Sequence, residues 1–490
     1  MTYAPARHRR RDSGSSLRAP QDFRPRPAPL APAVLVGSGL AGTALSWFVA
    51  QHSLVGARWK FFLPVVVWLV VWAAGAAAAR RIPSRRSAVL IVLVAAAAMR
   101  VAAATGTTPS ISNDLYRYGW DAHVQASGID PYRYPPAAPQ LQSLRVPPFF
   151  PTGPGCAHIG KPPGCTTLNR SADRTIYPPV AQLWFDLVAA VAPGRDVREW
   201  QLAAAAVDLA VVGLLMVALR RLGRDPTQAA WYALSPIPVI EFAGNGHVDG
   251  LALLLLVAVL LALQRGRRAM AGLLIGLAAM VKLYPGVAVI ACWRRGRWRM
   301  AVTAAAVGVV SYLPHVLVVG TRVVGYLPGY LKEEHYGSGS RFLLLGVLPL
   351  PSRAVTAVGV LFFAAVAVMV LRRGLEPAAG LAVVLTAAIV IACPVQPWYA
   401  VVLGGIGVLV GAPWLIGPAL LGEIYYAAVI LDHSHQVAIG RACFGAALAV
   451  IIAAQVLARR RAVGPSGPTI SRRRACAGSA SPARGRTWPT

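Results

Sequence analysis

Apolar runs long enough to cross a lipid bilayer recur along nearly the whole chain, and they constrain its fold more than any other feature. Examples are residues 61–79, 88–104, 301–319 and 355–371. The hydrocarbon core of a bilayer is about 30 Å thick, and a helix needs roughly 20 apolar residues to cross it. The runs are continuous and rich in Ala, Leu and Val, which favours helices over alternating strands. The sequence therefore predicts an all-α integral membrane protein.

The formal net charge is +30, a value that by itself could indicate a nucleic-acid partner. The basic residues, however, lie in short clusters between apolar runs and form no single stripe. Such clusters are typical of the cytoplasmic ends of membrane spans. The clusters are at residues 80–86, 265–268, 294–299 and 459–461. We therefore expect a lipid bilayer, and no nucleic acid, as partner.

Fourteen segments qualify as spans, which predicts a polytopic bundle of about 12–14 transmembrane helices. They lie at residues 33–50, 61–79, 87–105, 177–193, 201–219, 228–243, 249–264, 270–291, 300–319, 352–371, 378–394, 398–411, 413–431 and 438–457. Strict alternation would place the arginines at 220–224 and 265–268 outside, against the charge rule. One segment between 177 and 225 is therefore expected not to be a simple span.

The chain divides into three predicted regions. Residues 1–32 and 458–490 are basic tails, predicted to be disordered and cytoplasmic, and residues 33–457 form the membrane domain. With the N-terminus inside, the third span delivers residues 106–175 to the outer face. This is the longest polar stretch between spans, and loops of this length usually carry function.

Two cysteines, Cys156 and Cys165, flank a Pro/Gly-rich part of this loop. A disulfide between them is predicted if the loop lies outside the cell. The alternative is a metal site that also uses His158, but no fourth ligand is evident.

The densest polar signal opens the outer loop, where residues 113–121 read Asn-Asp-Leu-Tyr-Arg-Tyr-Gly-Trp-Asp. In a helix, Asp114, Arg117 and Asp121 share one face. Arg117 could simply neutralise its neighbours, and the aromatic residues could form an interfacial belt. The functional interpretation is that an aspartate deprotonates an acceptor hydroxyl while aromatic rings stack on sugars. Asp114 is then the leading candidate base and Asp121 the reserve.

A second cluster lies between two apolar runs, where residues 241–250 read Glu-Phe-Ala-Gly-Asn-Gly-His-Val-Asp-Gly. Ionisable residues at the edge of a span are costly and indicate a functional site. Gly-Asn-Gly is also what an ordinary tight turn requires.

A third signal is Lys282, which follows an apolar run and precedes the helix-breaking Pro285. The lysine could snorkel to the membrane interface without any function. The neighbouring proline favours a cavity instead, in which the cation could hold a lipid-linked phosphate.

Weaker signals, each equally compatible with an interfacial anchor, are residues 332–336 with Arg341, residues 176–179 and residues 396–399. We find no phosphate-binding Gly-rich loop or nucleophile elbow, so the sequence gives little support to soluble nucleotide chemistry.

Together these motifs resemble those of the GT-C class of polytopic glycosyltransferases. The chain is most similar to the actinobacterial mannosyltransferases that use polyprenyl-phosphomannose and to their relatives in glycosyltransferase family 87. The resemblance covers about residues 85–430 and rests on six short motifs. These are Asp-Leu-Tyr-Arg-Tyr-x-Trp-Asp at 114–121, Asp-Pro-Tyr-x-Tyr at 130–134, Tyr-Pro-Pro at 177–179, Asn-Gly-His-Val-Asp at 245–249, Lys-Leu-Tyr-Pro at 282–285 and Pro-Trp-Tyr at 397–399.

The resemblance implies a bacterial plasma-membrane enzyme that moves a hexose, mannose by analogy, from a polyprenyl phosphate to a glycolipid or glycan acceptor on the outer face, with inversion. An acidic residue of the first outer loop is essential in that class, which corresponds to Asp114 and less closely to Asp121. No cofactor or metal is expected, because protein cations can serve a monophosphate leaving group. The residues expected to bind substrate are Tyr116, Arg117, Trp120, Arg174, Tyr177, Asn245, His247, Asp249, Lys282, Trp398 and Tyr399.

The alternative from another class is a transporter or flippase of a lipid-linked sugar, in which the same charges would line an aqueous pathway. A repeat between the two halves would favour transport, and none is visible. A non-catalytic scaffold would not need so many ionisable residues on one face.

Overall fold

The computed structural model describes residues 25–54, 56–106, 109, 111–159, 161–192, 196–293, 298–336, 342–431 and 434–462. Within these ranges the chain is helical and contains no strand, which confirms the predicted all-α fold. The outer segments of the predicted tails, residues 1–24 and 463–490, lie outside the described residues, as do residues 294–297 and Arg341.

The helices are numbered in chain order. They are α1 (Ala31–Ala50), α2 (Arg58–Ala79), α3 (Arg85–Ala103), α4 (Asp114–Ala126), α5 (Pro154–His158), α6 (Pro179–Val191), α7 (Val197–Arg221), α8 (Ala230–Ala233), α9 (Pro236–Pro238), α10 (Asp249–Gln264), α11 (Arg268–Val281), α12 (Ala288–Cys292), α13 (Trp298–Val319), α14 (Leu327–Glu333), α15 (Ser352–Arg373), α16 (Pro377–Ala392), α17 (Pro397–Val410), α18 (Gly417–Leu431) and α19 (Gln436–Ala462). Short 3₁₀ segments occur at Pro139–Leu144, Pro226–Ala229, Tyr284–Val287, Gly320–Val324, Leu345–Val347 and Pro413–Ile416, and Val239–Gly244 is a π-helix.

Eight helices of the described chain are long and apolar enough to cross a membrane. A ninth candidate is the pair Pro236–Gly244 and Asp249–Gln264, whose two arms are bent by 118°. Four shorter apolar helices, α6, α11, α16 and α17, accompany them. The sequence prediction of about 12–14 spans counts these short helices as spans. By helix length and composition alone, eight or nine segments qualify as spans. The polytopic architecture is the same in both descriptions.

The short helix α6 explains why the segment between residues 177 and 225 does not fit a strict alternation of spans between the inner and outer faces. It has 13 residues, which give a length of about 20 Å at 1.5 Å per residue, well short of the hydrocarbon thickness. It packs against α4 of the outer loop, whereas α7, with 25 residues, is long enough to span.

Two basic segments, at residues 80–86 and 220–224, meet at one end of the bundle. Arg85 at the start of α3 forms an ion pair of 3.7 Å with Asp225, which follows the last turn of α7. Arg224 donates a hydrogen bond of 2.8 Å to the carbonyl oxygen of Leu409 near the end of α17. Helix α10 packs along α7 and begins near the start of α7, where Gln201 donates a hydrogen bond of 2.6 Å to the carbonyl oxygen of Gly244. The two helices therefore run in the same direction, and the cluster at 265–268 lies at this end too. We call this end the basic face.

The outer loop has a hydrophobic core of its own at the other end of the bundle. Tyr118 of α4 stacks on Phe185 of α6 with ring centroids 4.4 Å apart. Trp120 contacts Phe149 and Phe150. Further along the loop, Cys156 and Cys165 form a disulfide, so neither sulfur is available as a metal ligand. The loop is therefore a packed layer over the spans.

A buried ion pair ties three helices together inside the bundle. Arg100 of α3 places Nη2 2.7 Å from Asp208 Oδ2 of α7, and both side chains are almost fully buried. The other carboxylate oxygen accepts a hydrogen bond of 2.6 Å from the hydroxyl of Tyr232 in α8. A buried charge of this kind is tolerated because it is paired and hydrogen-bonded.

The two ends of the bundle should differ in access from outside the cell. We expect Gln142→Cys, in an exposed part of the outer loop, to react with a membrane-impermeant maleimide on intact cells. Arg221→Cys, exposed on the basic face, should react only after the cells are opened, because positive clusters remain inside. Both variants carry Cys476→Ser as well, because this cysteine of the predicted cytoplasmic tail would react once the cells are opened, and the chain with Cys476→Ser alone is the blank. Labelling of Arg221→Cys on intact cells would contradict this orientation.

Candidate functional site

A cavity of about 1140 Å³ lies at the end of the bundle opposite the basic face. Its walls come from the start of α4, the segment just before α6, the break between α11 and α12, and helices α14 and α16–α18. Predicted site residues that line it are Asp114, Arg117, Arg174, Tyr177, Lys282, Trp398 and Tyr399. Segments distant in the sequence therefore converge on one space.

Asp114 is the first residue of α4 and its side chain is half-buried at the cavity wall. The side-chain amide of Asn169 donates a hydrogen bond of 2.6 Å to Oδ1, and the hydroxyl of Tyr177 donates one of 3.1 Å to Oδ2. These two bonds fix the orientation of the carboxylate. Carboxylates have further lone pairs, so Asp114 can also accept a proton or hydrogen bond from a molecule in the cavity.

Asp121 has a different environment. It is buried and forms an ion pair of 3.0 Å with Arg117, one helical turn earlier. Gln182 of α6 donates a hydrogen bond of 3.0 Å to its other oxygen. Asp121 does not line the cavity, and its contacts join α4 to α6. The interpretation in which Arg117 neutralises its neighbour describes this pair.

Two of the predicted sugar-binding aromatic residues face away from the cavity. Tyr116 and Trp120 belong to the buried core of the outer loop, and neither lines the cavity. The reason is helical periodicity, because Asp114 is at the cavity wall and positions two and six residues later fall on other faces of α4. Arg174 lines the cavity and donates a hydrogen bond of 3.3 Å to the carbonyl oxygen of Arg133.

Lys282 is held at the cavity wall by a carboxylate and two aromatic rings. Its backbone is extended just after α11, and its Nζ lies 3.3 Å from Oδ2 of the fully buried Asp249. The same atom lies 4.6 Å from the ring centroid of Tyr399 and 5.4 Å from that of Tyr177, so cation–π attraction adds to the ion pair. The side chain therefore points into a cavity instead of snorkelling to the lipid interface.

The cluster at 241–250 lies directly behind the cavity. His247 stacks on Trp398 with ring centroids 3.9 Å apart, and its Nδ1 is 2.7 Å from Glu241 Oε2. Asn245 accepts a hydrogen bond of 3.0 Å from the backbone of Ile111. None of Asn245, His247 and Asp249 lines the cavity itself.

The Gly-Asn-Gly part of this cluster also forms a tight turn, as the alternative interpretation of the sequence expects. Gly246 has φ +73°, and a Cβ there would press on Leu115, so a glycine suits the position. The turn brings Asp249 behind Lys282 and His247 behind Trp398. The cluster therefore lies behind the cavity wall, where it contacts Lys282 and Trp398, and does not line the cavity itself.

Several residues that line the cavity wall were not predicted from the sequence. Arg170 forms a bidentate bridge to Glu333 of α14, with distances of 3.0 and 2.6 Å, and the Tyr326 hydroxyl donates a hydrogen bond of 2.6 Å to the same carboxylate. The hydrogen bond to Glu333 raises the pKa of Arg170. The segment at 332–336 gave a weak signal, whereas Asn169 and Arg170 lie in an irregular loop without periodicity.

One wall of the cavity is apolar. Leu385, Ile389 and Ala392 of α16 face the space, as do Val429 and Ile430 of α18. Another part of the wall carries Asp114 and Lys282. A cavity with one polar and one apolar wall suits an amphiphilic ligand, because each part of such a ligand meets matching surface. Among the residues described, no group of three or more His, Cys, Asp and Glu side chains is arranged to hold a metal ion.

The sequence profile of glycosyltransferase family 87 matches residues 175–397 of the chain. The match confirms the predicted resemblance over this segment, which runs from the region of Tyr177 through Lys282 to the start of α17. Asp114 and most of the outer loop precede it. A comparison with curated proteins gives no match.

The ion pair beneath the cavity can be tested by double substitution. We expect Lys282→Met to destabilise the protein by about 3–5 kcal/mol, because it leaves the buried Asp249 carboxylate without its cation. Lys282→Met combined with Asp249→Asn should recover most of this loss. The measurement is the thermal unfolding midpoint of the purified chain in detergent. An unchanged midpoint for Lys282→Met would mean that the pair makes no such contribution.

Proposed function

We propose that this chain, a membrane glycosyltransferase with the family-87 resemblance reported above, transfers a hexose from a polyprenyl-phosphate donor to an acceptor hydroxyl at the outer face of the bacterial plasma membrane. The resemblance favours mannose as the sugar, and the acceptor is a glycolipid or glycan. Both termini are cytoplasmic in this proposal.

The observation that carries the proposal is that a carboxylate and a cation on the cavity wall both contact the same residue, Tyr177. The Tyr177 hydroxyl donates to Asp114, and the Tyr177 ring faces Lys282 Nζ. A base and an anion-binding group are thus adjacent, as a group transfer from a phosphate requires. The apolar wall formed by α16 and α18 provides a surface for the prenyl chain of such a donor.

The proposed reaction is a single displacement. The acceptor oxygen attacks the anomeric carbon while Asp114 takes its proton, and the bond between that carbon and the phosphate oxygen breaks. The bonding electrons leave with the polyprenyl phosphate, whose charge is stabilised by Lys282, with Arg174 on the same wall. Attack opposite the leaving group inverts the anomeric configuration. Cations fixed by the protein serve a monophosphate, so the reaction does not demand a divalent metal.

The position of the cavity supports an outer-face reaction. Arg85 and Arg224 lie at the basic face, and the cavity lies at the other end of the bundle, beneath the outer loop. Positive clusters remain on the cytoplasmic side. A lipid-linked donor in the outer leaflet could then enter beside the apolar wall.

Asp114→Asn is the decisive variant. We expect transfer to fall by on the order of 10²–10⁴-fold, since the amide cannot accept the acceptor proton. The assay follows radiolabelled mannose from polyprenyl-phosphate mannose to native acceptor lipids in isolated membranes. Asp196→Asn is the matched control, because Asp196 is exposed at the start of α7 and caps that helix, a role that asparagine also fills.

Transfer by Asp114→Asn at a rate near that of the wild type would exclude Asp114 as the base. A wild-type membrane that transfers sugar from other donors but not from polyprenyl-phosphate mannose would exclude the proposed donor. Translocation of a sugar lipid across vesicles without transfer would instead favour the flippase alternative.

A further inference from the structure

A second cavity, of about 390 Å³, opens on the basic face at the end of the bundle opposite Asp114. It lies between the start of α3 and the turn that follows α7. The residues that matter for its chemistry are Arg85, Arg86, Arg220 and Arg224 at the rim, and Val89, Leu90 and Leu93 on the wall. The catalytic cavity shares none of them.

The four arginines come from two segments that the fold brings together. Arg85 and Arg86 are the first residues of α3, and Arg220 lies in the last turn of α7. Gly223, with φ +70°, then reverses the chain, and the Arg224 amide bonds back to the Leu219 carbonyl. This helix end directs Arg224 towards the same cavity as Arg220.

Positive charge exceeds negative charge at this cavity. Among the described residues no carboxylate lines it, and Asp225 is the one acidic residue in the segments 80–86 and 220–226. Asp225 Oδ1 accepts hydrogen bonds from the amide and hydroxyl of Thr227, and its other oxygen lies 3.7 Å from Arg85. The four arginines at the rim are therefore offset by one carboxylate, which contacts Arg85, and three positive charges remain. Guanidinium groups match phosphate oxygens in geometry as well as in charge.

The wall below the arginines is apolar and belongs to a membrane span. Val89, Leu90 and Leu93 occupy one side of α3 just beyond Arg85 and Arg86, and Leu90 is 62% exposed. A phosphate ion in water would gain nothing from these side chains. A phospholipid places its phosphate at the membrane surface and its acyl chain immediately below, which is the order of charged rim and apolar wall seen here.

We propose that this cavity binds the headgroup phosphate of an anionic phospholipid in the leaflet opposite the catalytic cavity. The arginines hold the phosphate, and the acyl chain lies along Val89, Leu90 and Leu93. The bound lipid bridges α3 and α7, the two helices that also share the Arg100–Asp208 pair. This inference does not depend on the proposed transfer reaction.

The test is equilibrium binding of fluorescent phosphatidylglycerol to the purified full chain in detergent. We expect the double variant Arg86→Gln, Arg220→Gln to bind about thirtyfold more weakly than the wild type, given the usual contribution of each arginine at an anionic membrane surface. This variant keeps the Arg85–Asp225 and Arg224–Leu409 contacts. The matched control is Arg372→Gln, Arg373→Gln in the last turn of α15, which removes the same charge from residues outside the cavity and should bind like the wild type.

Three further comparisons keep the proposal open to refutation. The charge-preserving variant Arg86→Lys, Arg220→Lys should retain most of the affinity, and a loss as large as that of the glutamine variant would overturn the proposal. Zwitterionic phosphatidylcholine should bind weakly, and equal binding would show that the charge is irrelevant. Inorganic phosphate should compete poorly, and displacement as effective as that by phosphatidylglycerol itself would identify a site for free phosphate instead of a lipid. An equal loss of affinity in the control would overturn the proposal as well.

Discussion

A charge inside an apolar bundle has to be paired, and this constraint organises the structure around the cavity that contains Asp114 and Lys282. Lys282 would be costly beside membrane spans without compensation, and Asp249 supplies it from the fully buried turn behind the wall. The pair fixes where α10 and the break after α11 meet. Arg100 and Asp208 do the same for α3 and α7. The two pairs differ in exposure, because Arg100 is enclosed whereas Lys282 lines the cavity.

The same constraint gives different environments to two aspartates that the sequence alone does not distinguish. Asp114 and Asp121 lie on one helix, seven residues apart. Asp121 is enclosed between α4 and α6, where Arg117 neutralises it. Asp114 is held by neutral donors, Asn169 and Tyr177, and lines the cavity. Environment, not residue type, makes Asp114 the stronger candidate for a base.

Sequence patterns predicted the helices well because their cause is local. Apolar runs and proline positions indicated the spans, and the charge rule indicated that one segment between 177 and 225 does not cross. The short α6 meets that expectation. Patterns were less informative about aromatic residues, since Trp120 packs in the core of the outer loop and not on the cavity wall. An aromatic residue satisfies either environment, and its neighbours decide which one it occupies.

The sequence by itself determined that the chain is a helical membrane protein, which end of the bundle is basic, and which short motifs carry polar residues between spans. Hydropathy and helical periodicity are properties of contiguous residues and can be read from them. Only the tertiary structure decided which polar side chains meet. Asn169 reaches Asp114 across 55 positions, and Arg170 reaches Glu333 across 163. Such contacts depend on how whole helices and loops pack, so no local pattern encodes them.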